Sequence, residues 1–231
     1  MKICLIPARG GSKRIKNKNI KNFLGKPIIA WSIQKAKKSK LFDDIVVSTD
    51  SKKIANIAKK FGASVPFLRP KKLANDYAID RDVLHHYLDY ACKKKIKIKF
   101  LCYLYPTIPL LKISTLKKCY NLIKKSNSPK VITTCKFNYP IQRALKRNKR
   151  GEVKFSDRKF MFFRSQNLKE EYHYDAGHCY WYNLNEYNKI RNRKKIKTLS
   201  IILNNYEVQD INTIEEFRLA ERLFKFNKLK R

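Results

Sequence analysis

The sequence predicts a doubly wound α/β domain, a mostly parallel sheet with helices on both faces. Three observations point there. Short apolar runs alternate with amphipathic helical stretches from Lys2 to Cys135, the links between them are short, and the first apolar run opens into a glycine-rich basic loop.

Lys2–Ile6 is apolar and stops at Pro7, as a buried strand would. Pro27 stands where a first helical turn begins, and Ile28–Lys40 carries a helical pattern. Ile45–Ser48 reads as the next strand. Asp50 or Ser51 can cap the helix that follows, with Asp50 assigned first to capping and only second to a site. Its apolar residues Ile54, Ile57, Ala58 and Phe61 share one face, and Gly62 stops it. Ser64–Leu68 reads as a strand and Arg69–Ile79 as a loop. Asp80 is the expected cap of a helix bearing Val83, Leu84, Tyr87, Leu88 and Ala91 on one face. Lys99–Leu104 is a strand that ends at "YPTIP", where two prolines force a turn; Leu110–Lys125 is helical and Val131–Cys135 strand-like.

The alternation then breaks. Tyr139–Phe163 has turn residues and charge but no βαβ unit, and is read as an antiparallel arm inserted in the domain. His178–Leu184 and Thr198–Leu203 return as strands with a short turn between them. Thr213 with Glu216 three residues on forms a capping box before a helix striped with Ile214, Phe217, Ala220 and Phe224.

At 231 residues the chain suits one domain with a full core. Its 54 Lys and Arg against 18 Asp and Glu give a net charge of +36, the mark of a nucleic-acid binder if read alone. The excess is spread over Lys35–Lys40, Lys93–Lys99, Arg191–Lys197 and Lys225–Arg231, with no repeated interleaving of aromatics. A generally basic, solvated surface is therefore preferred, with no specific nucleic-acid partner, although its field attracts anionic substrates. The cysteines, at 4, 92, 102, 119, 135 and 179, form neither a zinc pattern nor a disulfide framework. No run of eighteen apolar residues occurs and the N-terminus lacks a signal-like core, so a soluble cytoplasmic protein without a membrane partner is expected.

The loop "ARGGSKRIKNKN" (Ala8–Asn19) lies where open α/β sheets bind ligands, beyond the carboxyl end of the first strand. It matches neither G-x-x-x-x-G-K-[ST] nor G-x-G-x-x-G. What remains is Gly10 and Gly11 baring backbone N–H groups among Arg9, Lys13, Arg14, Lys16 and Lys18. A phosphate cradle and a basic surface turn both fit those residues.

"IPARGGSKRIKNKNI" resembles the signature of the cytidylyltransferases that activate nonulosonic, sialic-acid-like sugars. Four further blocks resemble that family in order: "FDDIVVSTDSKKIANIAKKFGASVPFLRPKKLANDYA", "YPTIPLL", "RSQNLKEEYHYDAGHCYW" and "VQDINTIEEFRLAE". Together they reach from residue 3 to about residue 222. The resemblance implies a Rossmann-like fold of the nucleotide-diphospho-sugar transferase type, a single domain over 1–231, and an arm over 137–172 that serves a homodimer and the sugar pocket. It implies transfer of CMP from CTP to the anomeric hydroxyl of a nonulosonic acid. Tyr105 before the P-T-x-P turn, "PIQRAL" and Asp175-Ala176-Gly177 resemble the pseudaminic acid branch; the alternative is the N-acylneuraminate branch. Tyr174 is an extra residue between His173 and Asp175, and His178 stands where that branch usually has Gln.

By the same resemblance Arg9, Gly10, Gly11, Ser12, Lys18 and Asn19 hold the CTP phosphates, with Arg9, Lys18 and Asp210 carrying the chemistry. Arg69, Asp76 and Ala78 read the cytosine. Asp210 and Asn212 occupy the family's D-x-D positions for Mg²⁺, the expected cofactor. Residues one apart on an extended segment face the same side, though an Asn at the second brings no charge. Tyr105, Gln142, Arg143, Arg164, Gln166, His173 and Asp175 form the sugar set, an arginine fork suiting the sugar's carboxylate.

Overall fold

In a computed structural model of the chain, residues 1–168, 171–190 and 196–229 are described. The strands are β1 (Lys2–Pro7), β2 (Asn22–Phe23), β3 (Lys26–Pro27), β4 (Asp44–Ser48), β5 (Phe100–Leu104), β6 (Lys130–Lys136), β7 (Leu145–Arg147), β8 (Val153–Phe155), β9 (His173–Asn183) and β10 (Thr198–Leu203). The α-helices are α1 (Ile28–Ser39), α2 (Lys52–Lys60), α3 (Asp80–Lys93), α4 (Ile113–Ser126), α5 (Leu184–Ile190) and α6 (Ile214–Leu229). The central sheet has the order β10-β6-β9-β5-β1-β4. β1 pairs in parallel with β4 and β5, and β6 with β10. Only β9 runs the other way, between β5 and β6.

Both faces of the sheet are covered over β1, β4 and β5, so those strands read as near-continuous apolar runs, whereas the edge strand β10 alternates exposed and partly buried residues. On one face Ile29, Ile33, Ala58, Leu116 and Ile123 from α1, α2 and α4 pack with Cys4, Ile6, Val47 and Trp181. On the other, Val83, Leu84 and Tyr87 of α3 and Tyr187 of α5 pack with Ile3, Leu5, Leu101 and Tyr103. The doubly wound sheet is the one the alternation predicted. The Thr213–Glu216 capping box forms as expected, each backbone N–H meeting the other's side chain at 2.8 and 3.2 Å.

Four local expectations change. Ser64–Leu68 joins the sheet only through the bridges Val46–Ser64 and Thr49–Leu68 and forms no strand. α4 starts at Ile113, because the prolines hold the preceding segment in a turn. Asp80 is the first residue of α3 rather than its cap; the backbone N–H of Ile79 is met instead by the Asp82 carboxylate, at 3.1 Å. β9 is longer than His178–Leu184 at its start, and Leu184 opens α5 where a turn was expected. A β2–β3 hairpin, unforeseen, turns through Leu24 and Gly25 at φ 48° and 93°, the left-handed pair of a tight hairpin. Its Phe23 meets Phe217 and Phe224 of α6 edge-on at 5.5 and 5.7 Å.

The arm contains the β7–β8 antiparallel hairpin and several 3₁₀ turns. Residues 169–170 of the arm, 191–195 of one basic run and 230–231 of another lie outside the described residues.

Where β9 passes β6 the register slips: Ile132 faces Tyr180 and Thr134 faces Asp175, so four β9 residues bulge against Thr133. Gly177, at φ 59°, makes the bend. It carries His178 into full burial, where neither ring nitrogen has a hydrogen-bond partner among the described residues. Burial, with the nearby Lys35 charge, pushes the imidazole pKa down to about 3. The folded state therefore holds this ring neutral while the unfolded chain protonates it near the ordinary 6.5. Stability conferred above that value falls as pH drops towards 3, by up to about 1.4 kcal/mol per pH unit. His178→Gln is expected to reduce the loss of urea midpoint between pH 7 and pH 4; equal acid losses in both proteins would refute this origin.

Candidate active site

The loop after β1 is tied down at both ends. Ala8 N–H donates to Ser48 O at 2.9 Å, fixing its start to the end of β4. Gly10 N–H donates to Asp50 Oδ1 at 2.8 Å. The helix cap is Ser51, whose Oγ accepts from Ile54 N–H, so Asp50 holds the loop and does not cap α2. A Cβ on Gly10 would lie 3.1 Å from Ser51 Cβ, which accounts for that glycine as a close approach of backbone to helix. A Cβ on Gly11 would meet no protein atom within 4 Å. At the far end Asn19, nearly buried, donates to Arg9 O at 2.9 Å.

The cations of the loop then reach across the fold. Lys18 Nζ donates to Ile211 O at 2.6 Å, and Arg14 Nη2 to Asn212 Oδ1 at 2.7 Å. Asn212 Nδ2 donates to Asp210 Oδ2, so Asn212 bridges a guanidinium and a carboxylate. Glu216 Oε2 accepts the backbone N–H groups of Asn212 and Thr213, fixing this segment to the start of α6. Burial lowers the pKa of Lys18; the Asp210 charge opposes this, and Arg14 and Arg9 add to it.

Arg9 Nη1 donates to Asn75 O and Asp76 Oδ1 at 2.9 and 2.8 Å. Lys13 pairs with the other Asp76 oxygen. Hydrogen bonds from Lys13 and Arg9 hold the Asp76 carboxyl below its usual range. Arg9, Ser12, Lys13, Arg14, Lys18, Asn19 and Asp76 enclose a cleft of about 290 Å³. Ala78 N–H, with Tyr77 N–H, donates to Asn75 Oδ1, so the chain itself engages that backbone donor. Arg69 is 5% exposed, and its Nε has no hydrogen-bond partner among the described residues. Burial lowers its pKa, while Tyr103, Asp50 and Asp80 offset the loss and Arg9 worsens it. A buried cation left this way is expensive without a ligand to share it.

The residues assigned to the sugar separate into two groups. Tyr105 OH donates to Asp80, which also accepts from Tyr103 OH at 2.8 Å. Asp175 accepts from Gly177 N–H and Tyr180 OH, both at 2.9 Å, and the Tyr105 and Tyr180 rings lie 5.7 Å apart. Burial, helped by the nearby Asp80, raises the Tyr105 pKa, so the hydroxyl stays protonated as a donor. The second group is on the arm. Gln142 is buried beside an arm pocket of about 270 Å³. Arg143 donates to Phe163 O at 2.6 Å, and Arg164 and Gln166 are exposed around a 3₁₀ turn. His173 sits at the root of the arm, 3.7 Å from Glu171. Sequence reasoning missed Asp80 and Tyr180 here, because their roles rest on cross-strand neighbours. For Asp50 a signal existed: two adjacent residues could cap α2, and only one can.

The cytidylyltransferase family model matches residues 3–229. The chain belongs to the cytidylyltransferase family. It is 38% identical over 225 residues to a pseudaminic acid cytidylyltransferase of Campylobacter jejuni subsp. jejuni serotype O:2, covering 97% of each chain. An N-acylneuraminate cytidylyltransferase of Escherichia coli O18:K1:H7 is 29% identical over 225 residues, 94% of this chain and 51% of that one. The solved structure of CMP:2-keto-3-deoxy-manno-octonic acid synthetase complexed with CTP superposes with a TM-score of 0.71 at 17% identity, covering 98% and 99% of the two chains. That likeness supports the fold.

In this cytidylyltransferase the Asp50–Gly10 bond orients the loop through a single contact. Asp50→Ala leaves the Gly10 N–H unpaired and is expected to raise KM for CTP about tenfold, on the scale of a lost hydrogen bond to a charge. Asp50→Asn keeps a carbonyl acceptor and should recover most of that loss. Steady-state kinetics with matched melting temperatures checks both; an unchanged KM in Asp50→Ala would refute the role.

Proposed function

We propose that this cytidylyltransferase joins CTP to a nonulosonic acid, pseudaminic acid first among them, giving the CMP-sugar and pyrophosphate. The observation that carries the reading is the 38% identity to a pseudaminic acid cytidylyltransferase along nearly the whole of both chains, together with the cationic cleft above.

The sugar's anomeric oxygen forms a bond to the α-phosphorus, the α–β phosphoanhydride bond breaks, and the hydroxyl proton is released. Such displacements depend on positioning and on cations fixed at the leaving group. Arg9, Ser12, Lys18 and Asn19, with the backbone at Gly10 and Gly11, hold the triphosphate, and Lys18 offsets charge as pyrophosphate leaves. Arg69, Asp76 and the Ala78 backbone take the cytosine; Ala78 N–H must then leave Asn75. The sugar lies against Tyr105 and Asp175, with Gln142, Arg143, Arg164, Gln166 and His173 closing from the arm.

The residues present fit Mg²⁺. Asp210 is exposed and its Oδ1 has no hydrogen-bond partner among the described residues; one carboxylate plus substrate phosphates suffices for this ion. Bound there, Mg²⁺ would neutralise phosphate charge. Asn212 serves Asp210 as a hydrogen-bond donor and would ligate only by releasing Arg14.

The homodimer reading is supported by apolar residues bared on the arm: Tyr139 is 75% exposed and Phe162 88%. A cytoplasmic setting is supported by six free thiols, of which only Cys92 is exposed. Among the described residues no helix is long and apolar enough to cross a membrane.

Pyrophosphate release assayed with CTP, Mg²⁺ and a panel of nonulosonic acids tests the assignment. Dependence on pseudaminic acid is expected; preference for N-acetylneuraminic acid would move the chain to the other branch, and no turnover with tight RNA or DNA binding would reject both. Asp210→Ala should remove most turnover while the fold persists, whereas Asn212→Asp should keep or improve Mg²⁺ use. Because Lys18 acts charged and its pKa is lowered, activity should fall on the alkaline side as pH rises through that pKa. Lys18→Arg should shift the limb upward; an unmoved limb assigns it to another group.

A further inference from the structure

A second cavity lies away from the cleft of the β1 loop, between α1, the Pro109–Ile113 segment and the C-terminal half of α6, and encloses about 310 Å³. Its aromatic wall is Trp31 and Phe224, with ring centroids 4.5 Å apart at 67°. Five lysines line it: Lys26, Lys35, Lys38, Lys112 and Lys228. The Lys26 ammonium sits 3.6 Å above the Trp31 ring and donates to Gln34. Lys35 donates to the carbonyls of Pro109 and Leu111 at 2.7 and 2.5 Å, which ties the loop wall to α1. Lys112 is paired with Glu207. Among the described residues, Lys26, Lys38 and Lys228 have no carboxylate partner.

The charge balance differs from that of the β1 loop cleft, where Asp76 answers Arg9 and Lys13. Here burial, and then the charges of Lys38 and Lys228, lower the pKa of Lys26, so three ammonium groups repel one another beside an aromatic wall. An anion carried on a flat apolar body would satisfy both halves, its charge drawing Lys26 off the Trp31 ring and its own ring taking that face beside Phe224. The volume is at the lower end of small-molecule sites.

We propose that this cavity binds a small aromatic phosphate of the nucleoside monophosphate class, at a site separate from the cytidylyltransferase cleft. The proposal does not rest on the catalytic reading.

Tryptophan fluorescence reads this site, because Trp31 lines it while Trp181 is fully buried in the core. The full chain is titrated with AMP, with adenosine and with inorganic phosphate. AMP is expected to change the emission saturably below about 1 mM. Trp31→Phe should abolish the change, and the double variant Lys38→Glu/Lys228→Glu should weaken AMP by about tenfold or more with circular dichroism unaltered. Adenosine should be silent, inorganic phosphate should displace AMP only weakly, and Arg9→Ala should leave AMP binding intact. Absence of a saturable change, binding that survives the double charge reversal, adenosine equal to AMP, or loss in Arg9→Ala would overturn the proposal.

Discussion

Like-charge repulsion in the loop after β1 is the constraint on which the candidate site depends. Arg9, Lys13, Arg14, Lys16 and Lys18 fall within Ala8–Asn19, and such a segment has no reason to fold by itself. Three aspartates from distant parts of the chain answer it. Asp50, after β4, takes the Gly10 N–H; Asp76 takes Arg9 and Lys13; Asp210 lies near Lys18 and is joined through Asn212 to Arg14. In a chain with 18 acidic residues against 54 basic ones, three of the scarce carboxylates are spent at one loop. The loop's shape is thus a tertiary property, set by where β4, the Arg69–Ile79 segment and the approach to α6 come to rest. The exposed Arg9–Asp76–Lys13 cluster is open to salt screening, whereas the half-buried Asp50–Gly10 bond is less so.

That dependence explains what the sequence made legible and what it did not. Hydrophobic period and capping residues identified β1, β4, β5, β6 and β10, the helices α1 to α4 and α6, and the parallel doubly wound plan, because each signal is local. The Thr213–Glu216 box is local too, and it formed. The direction of β9 is not local: "HCYWYNL" is apolar on both faces whichever way it runs, and its place between β5 and β6 follows from the arm returning to the middle of the sheet. Asp80 and Asp50 were both read as caps because Asp favours caps. Ile79 stands at the start of α3 with its N–H met by Asp82, and Ser51 caps α2, which leaves each of the two carboxylates to a tertiary partner, the tyrosines in one case and Gly10 in the other. The β2–β3 hairpin was hidden because Leu24, a non-glycine residue, adopts positive φ, held there by Phe23 packing under α6.

The Asp210-Ile211-Asn212 segment carries one formal charge, where the D-x-D pattern implied by the resemblance would carry two, and two cations stand beside it. A divalent ion drawn to Asp210 alone would face Lys18 and Arg14 without enough negative charge. The phosphates of a nucleotide supply what is missing, so on the proposed reading metal and nucleotide are mutually dependent and each strengthens the other's binding. The neutral Asn212 suits this arrangement. Its carbonyl occupies Arg14 and its amide orients Asp210, which leaves one carboxylate oxygen unengaged among the described residues.

The residues proposed for the sugar pose the remaining geometric problem. Asp80 and Asp175 are satisfied by tyrosine hydroxyls and Gly177, so that part of the site offers carboxylates and donors already in use. A nonulosonic acid brings its own carboxylate and needs a cation. Two cations act on this cluster: Arg69 feels the charge of Asp80, and Lys130 those of Asp175 and Asp80. Lys130 has its ammonium 5.0 Å from the Tyr180 ring, and burial lowers its pKa while Asp175 and Asp80 oppose this. Arg143 and Arg164, with the fork geometry that favours a carboxylate, are on the arm, and Arg143 is spent on Phe163 O. On the proposed reading, which leaves Arg69 to the cytosine, either Lys130 meets the acid within the sheet or the arm brings an arginine to it. The second route requires the arm to repack, and its bared apolar side chains, Tyr139 and Phe162 foremost, are the surface such a repacking or a second copy of the chain would cover.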